Sequence, residues 1–180
     1  MNAPRSDTRQ RIQEAARELF AVKGVQRTSL QDIAARLGIT KPALYYHFRS
    51  REDLVRSIVA PLINSGEQMV RDCETHPGLS PREILERYFD CFYGCRADLI
   101  LVVVELSTLA DLGLIDSMLA WRERLGRLIF GSEQTLEQAV RVVIALGGIQ
   151  DCCLQFPDAP ADALRAAAVA GGLAALGLPG

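Results

Sequence analysis

The sequence predicts an all-α fold in which a three-helix head precedes a larger helical body. Apolar residues recur at intervals of three and four along most of the 180 residues, and Ser, Thr, Gly and Pro stand where helices begin and end. No segment shows the alternating pattern of a half-buried strand. Hydrophobic residues make up 49% of the chain and charged residues 23%, which suits a globular core. We expect a head of residues 1–50 and a body of residues 51–180.

The first two predicted helices carry clear start and stop signals. The first ends at Gly24, and the second begins after Ser29, which forms a capping-box pattern with Asp32. Gly38 ends the second helix. The apolar stripe of the first helix consists of Ile12, Ala15, Ala16, Leu19 and Phe20.

The third predicted helix follows after two residues. Thr40 is its expected N-cap, Pro42 lies in its first turn, and it runs to about Phe48. Two short helices joined by a glycine-containing turn, with a packing helix before them, predict a helix-turn-helix unit. Among the residues of the third helix, only Leu44 and Phe48, which are four positions apart, are expected to pack in the core. Hydrogen-bond donors crowd the same segment: Thr40, Lys41, Tyr45, Tyr46, His47 and Arg51.

The body is predicted to contain six helices. Ser50 with Asp53 opens the first of them, which runs toward Arg71, and Pro61 is expected to kink or interrupt it. A second begins after Ser80, with Pro81 and Glu83 completing its start signal. The remaining helices are predicted at residues 97–112, 115–130, 133–156 and 161–176.

Charge is distributed unevenly between the two ends of the chain. The net charge is −2, but residues 1–56 carry 11 Lys and Arg against 6 Asp and Glu, a net +5, whereas residues 57–180 carry −7. A basic head on an acidic body indicates that the head meets a polyanion.

The cysteines and the apolar segments predict a cytoplasmic protein without a membrane segment. The five cysteines are odd in number, two are adjacent, and no apolar leader precedes the first helix. The longest apolar stretch, residues 166–178, is shorter than the roughly 20 residues that span a bilayer. With two histidines and no Cys-x-x-Cys, Cys91 and Cys95 are expected to be buried inert thiols rather than metal ligands. No cofactor is expected.

The head resembles the DNA-binding region of the TetR family. The resemblance covers residues 8–58 and is carried by Phe20 to Gly24, Ser29, Gly38 to Thr40, Leu44 to Phe48, and Arg51. It implies a homodimeric transcriptional regulator that binds double-stranded operator DNA. It further implies that Lys41 and Pro42 face base edges, and that phosphates are held by Thr40, Tyr45, His47 and Arg51.

Several of these residues have an alternative structural interpretation. Capping alone explains Ser29, His47 fits a packing role, and Tyr46 is equally a contact or a core aromatic. Arg51 lies in a first helical turn, where the macrodipole disfavours a cation unless a phosphate is nearby, but an exposed arginine also tolerates that position. The full set of candidate DNA contacts is Thr28, Ser29, Gln31, Thr40, Lys41, Pro42, Ala43, Tyr45, Tyr46, His47 and Arg51.

The body is where the resemblance implies dimerisation and ligand binding. It implies a four-helix bundle made from the last two helices of each subunit, whose small and aliphatic residues could otherwise close the monomer's own core. Glu105 interrupts an apolar run and is expected to pair with an arginine first, and to contact a ligand second. An aromatic stripe is more often core than pocket. The candidate ligand contacts are Met69, Phe89, Phe92, Tyr93, Glu105 and Trp121.

The function predicted from these features is a repressor that an unidentified small-molecule effector releases from a palindromic operator. The resemblance implies that the effector acts by moving the fourth helix. Two alternatives remain at this point: a cysteine-dependent helical enzyme, and an architectural DNA-binding protein without a ligand. The enzyme is disfavoured because no nucleophile elbow, phosphate loop or metal-ligand cluster is present in the sequence.

Overall fold

A computed structural model describes residues 5–96 and 114–179, and within them the chain forms eight α-helices and no strand. The all-α prediction is confirmed, while the predicted helix at 97–112 lies outside the described residues. The helices are α1 (Arg5–Lys23), α2 (Leu30–Leu37), α3 (Lys41–His47), α4 (Arg51–Thr75), α5 (Pro81–Gly94), α6 (Leu114–Phe130), α7 (Leu136–Gln155) and α8 (Ala161–Leu176).

The described residues divide into two compact units, 5–61 in one and 62–96 with 114–179 in the other. The first unit, the head, contains α1, α2, α3 and the beginning of α4, and the second, the body, contains the remaining helices. The core of the head is formed by Ile12, Ala16, Phe20, Ile33, Leu44, Phe48, Leu54 and Ile58.

Start and stop signals act in the head as predicted. The Ser29 hydroxyl accepts the Asp32 N–H while the Asp32 carboxylate accepts the Ser29 N–H, which completes the capping box of α2. Gly38 ends α2 with φ +65°, the left-handed conformation that glycine adopts without steric cost. The Thr40 hydroxyl accepts the Ala43 N–H and so begins α3.

Pro61 was predicted to kink or interrupt α4, and the interruption is wrong because α4 continues from Arg51 to Thr75. Pro61 lacks the N–H that would bond the carbonyl of Ser57, four residues earlier. In the structure Gln13 of α1 supplies the missing donor: its Nε2 lies 3.2 Å from the Ser57 carbonyl oxygen and 2.9 Å from the Ser57 hydroxyl. A side chain from another helix therefore satisfies the carbonyl that proline leaves unpaired.

In the body, α5 packs against α7 and α8, and α6 packs against α7. The capping box of Ser80 and Glu83 begins α5 as predicted. Helix α7 starts at Leu136 rather than at the predicted residue 133, because Thr135 and Gln138 form a capping box that the sequence analysis missed.

Candidate nucleic-acid interface

Helix α3 buries one residue and exposes the rest of its surface. Leu44 and the C-cap residue Phe48 are fully buried, as the spacing of four residues predicts. On the other side the helix presents an exposed, mostly polar face that consists of Lys41, Pro42, Ala43, Tyr45 and Tyr46.

A concavity of about 380 Å³ lies where this face meets the starts of α2 and α4. It brings together Lys41 and Tyr45, with the lysine Nζ 5.7 Å from the centre of the tyrosine ring. Its lining residues are Thr28, Ser29, Leu30, Gln31, Lys41, Tyr45, Arg49, Ser50, Arg51 and Glu52. Predicted contact residues that are separated in sequence thus lie on one surface of the head.

Two hydroxyls at this surface already serve the helix starts. The Ser29 hydroxyl donates to the Asp32 carboxylate at 2.6 Å and accepts the Asp32 N–H. These bonds to Ser29 hold the pKa of the Asp32 carboxyl below its usual value. The Thr40 hydroxyl accepts the Ala43 N–H at 3.3 Å. Both residues are exposed and capping, so the structural interpretation of Ser29 is supported.

Thr28, which was predicted to contact DNA, is buried in the structure. Its side chain is 1% exposed, and its hydroxyl donates to the Gly24 carbonyl oxygen at 2.8 Å. The hydroxyl therefore stabilises the turn between α1 and α2.

Arg51, which was also predicted to contact a phosphate, is bonded to other residues of the head. Its guanidinium donates to the carbonyl oxygens of Val25 and Gln26 and to the Gln26 side chain, and only 26% of the side chain is exposed. Backbone carbonyls of the α1–α2 turn thus accept guanidinium N–H groups at the first turn of α4, where the macrodipole argument predicted a phosphate.

Arg49 is a residue that the sequence analysis missed. It lines the concavity and is exposed, and within the described part of the chain its side chain has no hydrogen-bond or ion-pair partner. Its backbone N–H donates to the Asp53 carboxylate at 3.1 Å. Arg49 lies between the end of α3 and the start of α4. The sequence signal that could have identified Arg49 is its position directly before Ser50, the N-cap of α4.

Tyr46 and His47 lie at the end of α3. Tyr46 is 64% exposed and is not a core aromatic. His47 is half-buried with its ring edge against Tyr46, and its carbonyl accepts the Arg9 guanidinium at 3.1 Å. Arg9 also stacks over the Phe48 ring, 4.3 Å from its centre, so the N-terminal helix supports the end of α3.

A second cavity, of about 590 Å³, lies between α4 and α5 in the body. The described residues that line it are Asn64, Ser65, Gln68, Met69, Asp72, Arg87, Asp90 and Cys91. Met69 is the predicted ligand contact that lies there.

The other predicted ligand contacts lie elsewhere. Phe89 and Phe92 are fully buried core residues, and Tyr93 stacks on Phe89 with 5.3 Å between ring centres. Trp121 is buried against Gly66, and its indole N–H donates to the Glu67 carboxylate at 3.1 Å. These four side chains serve packing, the more common role of an aromatic stripe. Glu105 lies outside the described residues.

Two of the cysteines, Cys91 and Cys153, are not thiolates at neutral pH. Burial raises the pKa of Cys91 to about 12 and that of Cys153 to about 11, so both thiols hold their protons at neutral pH. Between residues 5 and 96 and between 114 and 179, no helix combines the length and apolarity needed to cross a membrane.

Comparison with known proteins agrees with the geometry of the head. The sequence model of the family described as "Bacterial regulatory proteins, tetR family" matches residues 12–58. The chain is 34% identical over 97 residues to the probable HTH-type transcriptional regulator ArpR of Pseudomonas putida, and 33% identical over 97 residues to the HTH-type transcriptional regulator TtgR of the same species. Each match covers 54% of this chain but 41% of the relative, less than half its length.

Solved structures match over nearly the whole chain. A TetR/AcrR regulator from Thermobifida fusca is 26% identical with a TM-score of 0.60, covering 93% of this chain and 97% of that one. A TetR-like regulator from Rhodococcus sp. RHA1 has a TM-score of 0.74 at 20% identity, with coverage of 98% and 99%. FadR from Bacillus subtilis, solved with stearoyl-CoA, has a TM-score of 0.65 at 17% identity, with coverage of 92% and 98%. Residues 12–58 therefore match the DNA-binding region of the tetR family of bacterial regulatory proteins in sequence, and the described helices have the fold of solved TetR/AcrR regulators.

Proposed function

We propose that this chain is a ligand-responsive transcriptional repressor that binds a palindromic operator as a homodimer in the cytoplasm. The observation that carries the proposal is the concavity of the head, where the exposed face of α3 meets the starts of α2 and α4. The head also carries a net positive charge. Such a surface fits the major groove and the phosphates that flank it.

The proposed DNA contacts divide into base-reading and phosphate-binding residues. Lys41, Pro42 and Ala43 are proposed to meet base edges, which their exposure on the first turn of α3 supports. Arg49 takes the phosphate role that was predicted for Arg51. The remaining contacts to the DNA backbone are Ser29, Gln31, Thr40, Tyr45, Tyr46 and His47.

Dimerisation is proposed through α7 and α8. Val140, Val143 and Ile144 of α7 are each about half exposed, and an apolar groove of about 320 Å³ runs between the two helices. Small residues, among them Gly148 and Gly171, line this groove and allow close approach of a second helix pair. Two heads held in this way would engage two half-sites of a palindrome.

The effector site is proposed at the 590 Å³ cavity between α4 and α5, whose size is that of a small-molecule site. Met69 and Cys91 provide apolar surface, while Asn64, Gln68 and Arg87 provide polar groups. The structure of FadR with stearoyl-CoA shows that another protein of this fold was solved with a small molecule.

The experiment that tests the proposal is selection of DNA from a random library by the purified protein. We expect a palindromic sequence, and weaker binding of it by Lys41→Ala and Tyr45→Ala and at raised salt. Val22→Ala is the matched control, since Val22 is exposed on the head but does not line the concavity. Enrichment of no sequence, with undiminished binding of any DNA, would instead identify the architectural DNA-binding protein.

A further inference from the structure

Arg51 opens α4, yet its side chain is held by the turn that precedes α2. Nη1 donates to the carbonyl oxygens of Val25 at 3.3 Å and Gln26 at 2.9 Å, and Nη2 donates to Oε1 of Gln26 at 3.0 Å and Oε1 of Glu52 at 3.4 Å. Its Nε is buried and has no hydrogen-bond partner among the described residues. A phosphate at the surface of the head would have to displace these bonds to reach the guanidinium.

We infer that Arg51 is a positioning residue, which fixes the start of α2 against the start of α4, and not a ligand of a DNA phosphate. The inference rests on the proposed DNA-binding function. The Val25 carbonyl also accepts the Thr28 N–H at 3.2 Å, one residue before the N-cap Ser29. By holding Val25 and Gln26, Arg51 aligns the α2 wall of the concavity with the α4 wall, so that both meet the DNA backbone together.

The geometry of the guanidinium separates this role from that of a simple charge. The guanidinium reaches two carbonyls with Nη1 and a side-chain amide with Nη2, whereas a lysine offers its three N–H groups from one nitrogen and does not span both positions. Arg51→Lys therefore keeps the positive charge but loses the bridge. Arg49 is the matched control, because it lines the same concavity but its side chain has no such bonds within the described residues.

The first test measures affinity for the selected operator against salt concentration for Arg51→Lys, Arg51→Gln, Arg49→Lys and Arg49→Gln. Both Arg51 variants should bind on the order of tenfold more weakly at a temperature where they are folded, with the slope of log K against log salt unchanged in Arg51→Lys. Arg49→Gln should reduce the slope by about 1.8, since each of two heads loses a contact worth about 0.9, and Arg49→Lys should change neither quantity. Wild-type affinity in Arg51→Lys, or a slope change in Arg51→Gln equal to that of Arg49→Gln, overturns the inference.

The second test does not depend on DNA. The Thr28 amide lies in the turn before α2, and the Ile33 amide makes a hydrogen bond at the start of α2. Hydrogen exchange at both amides should be faster in Arg51→Lys than in the wild type, while Ala16 in the middle of α1 keeps its rate. Gln26→Ala removes only the side-chain acceptor of Arg51 and should show the same pattern more weakly. This variant replaces the Arg51 variants in the test if they fail to fold. Unchanged exchange at Thr28 overturns the inference, whereas failure of the wild type to bind any selected DNA overturns the proposed function and leaves the exchange result standing.

Discussion

Two residues of α4, Gly66 and Glu67, show how single positions hold the body together. Gly66 leaves room for the Trp121 ring, and Glu67 accepts both the Trp121 indole N–H and the Arg124 guanidinium at 2.8 Å. Arg124 also binds Glu74, on the same side of that helix. Helix α6 is therefore fastened to α4 by one packed aromatic ring and a chain of ion pairs.

Replacing Gly66 with Ala should destabilise the body by about 1–3 kcal/mol, the usual cost of an overpacked site. An added Cβ would lie 2.8 Å from Cζ2 of Trp121 and nearer still to its Cη2, and the buried ring has little room to move. Denaturant unfolding followed by the fluorescence of the single tryptophan measures the change. Gly94→Ala, which meets no atom within 4 Å, is the control and should alter the free energy of unfolding by less than about 1 kcal/mol.

Acid should weaken the attachment of α6 to α4 through Glu67. Hydrogen bonding to Arg124 above all lowers the Glu67 pKa to about 2 from 4.5. Because the folded-state pKa is the lower one, the stabilisation is complete above pH 4.5 and is lost as the pH falls toward 2. The difference in unfolding free energy between wild type and Glu67→Gln should therefore shrink between these pH values. A difference that stays constant over that window would contradict this account.

At the scale of helices, caps decide where elements begin, and a tertiary contact decides whether one continues. Ser29, Ser80 and Thr135 each accept the N–H three residues on, and each begins a helix. Helix α4 passes through Pro61 because Gln13 donates to the Ser57 carbonyl. The continuity of α4 thus depends on α1.

A double-mutant cycle tests that dependence. Gln13→Met, which keeps the size of the side chain but removes its donor, should destabilise the head by about 1 kcal/mol because the Ser57 carbonyl loses its partner. In a Pro61→Ala background the new N–H can bond that carbonyl, so the same substitution should cost less, with a coupling of at least about 0.5 kcal/mol in the unfolding free energies. Additive effects would show that Gln13 does not replace the missing donor.

At the scale of the whole molecule, the surface carries two features that a lone monomer does not explain. The head is basic while the remainder of the chain is acidic, and α7 leaves Val143 and Ile144 more than half exposed. Exposed apolar patches of this kind usually mark interfaces. Together they favour the proposed function, in which the head meets DNA and α7 meets a second copy of the chain.

The proposed dimer predicts the effect of placing charge on α7. Val143→Glu together with Ile144→Glu should shift the mass measured by light scattering from twice the 19.7 kDa of one chain to that of a single chain. Operator affinity should fall with it, since a monomer engages one half-site. Val22→Glu places a charge at a more exposed valine on the head and should leave the mass unchanged. A monomeric wild type would rule out the interface.

The sequence by itself determined the helices of the head, the caps of α2, α3 and α5, and the exposed face of α3. These follow from local rules, since a cap or an apolar stripe acts within a few residues. Only the tertiary structure decided the hydrogen-bond partners of Thr28, Arg51 and Trp121, and the continuity of α4. The partners of Arg51 and of Ser57, the Gln26 carbonyl and the Gln13 amide, lie near in space but far away in sequence. The partner of Thr28 is a carbonyl oxygen of the turn after α1. Hydrogen-bonding capacity can be read from residue type, but the choice of partner is made when the helices pack.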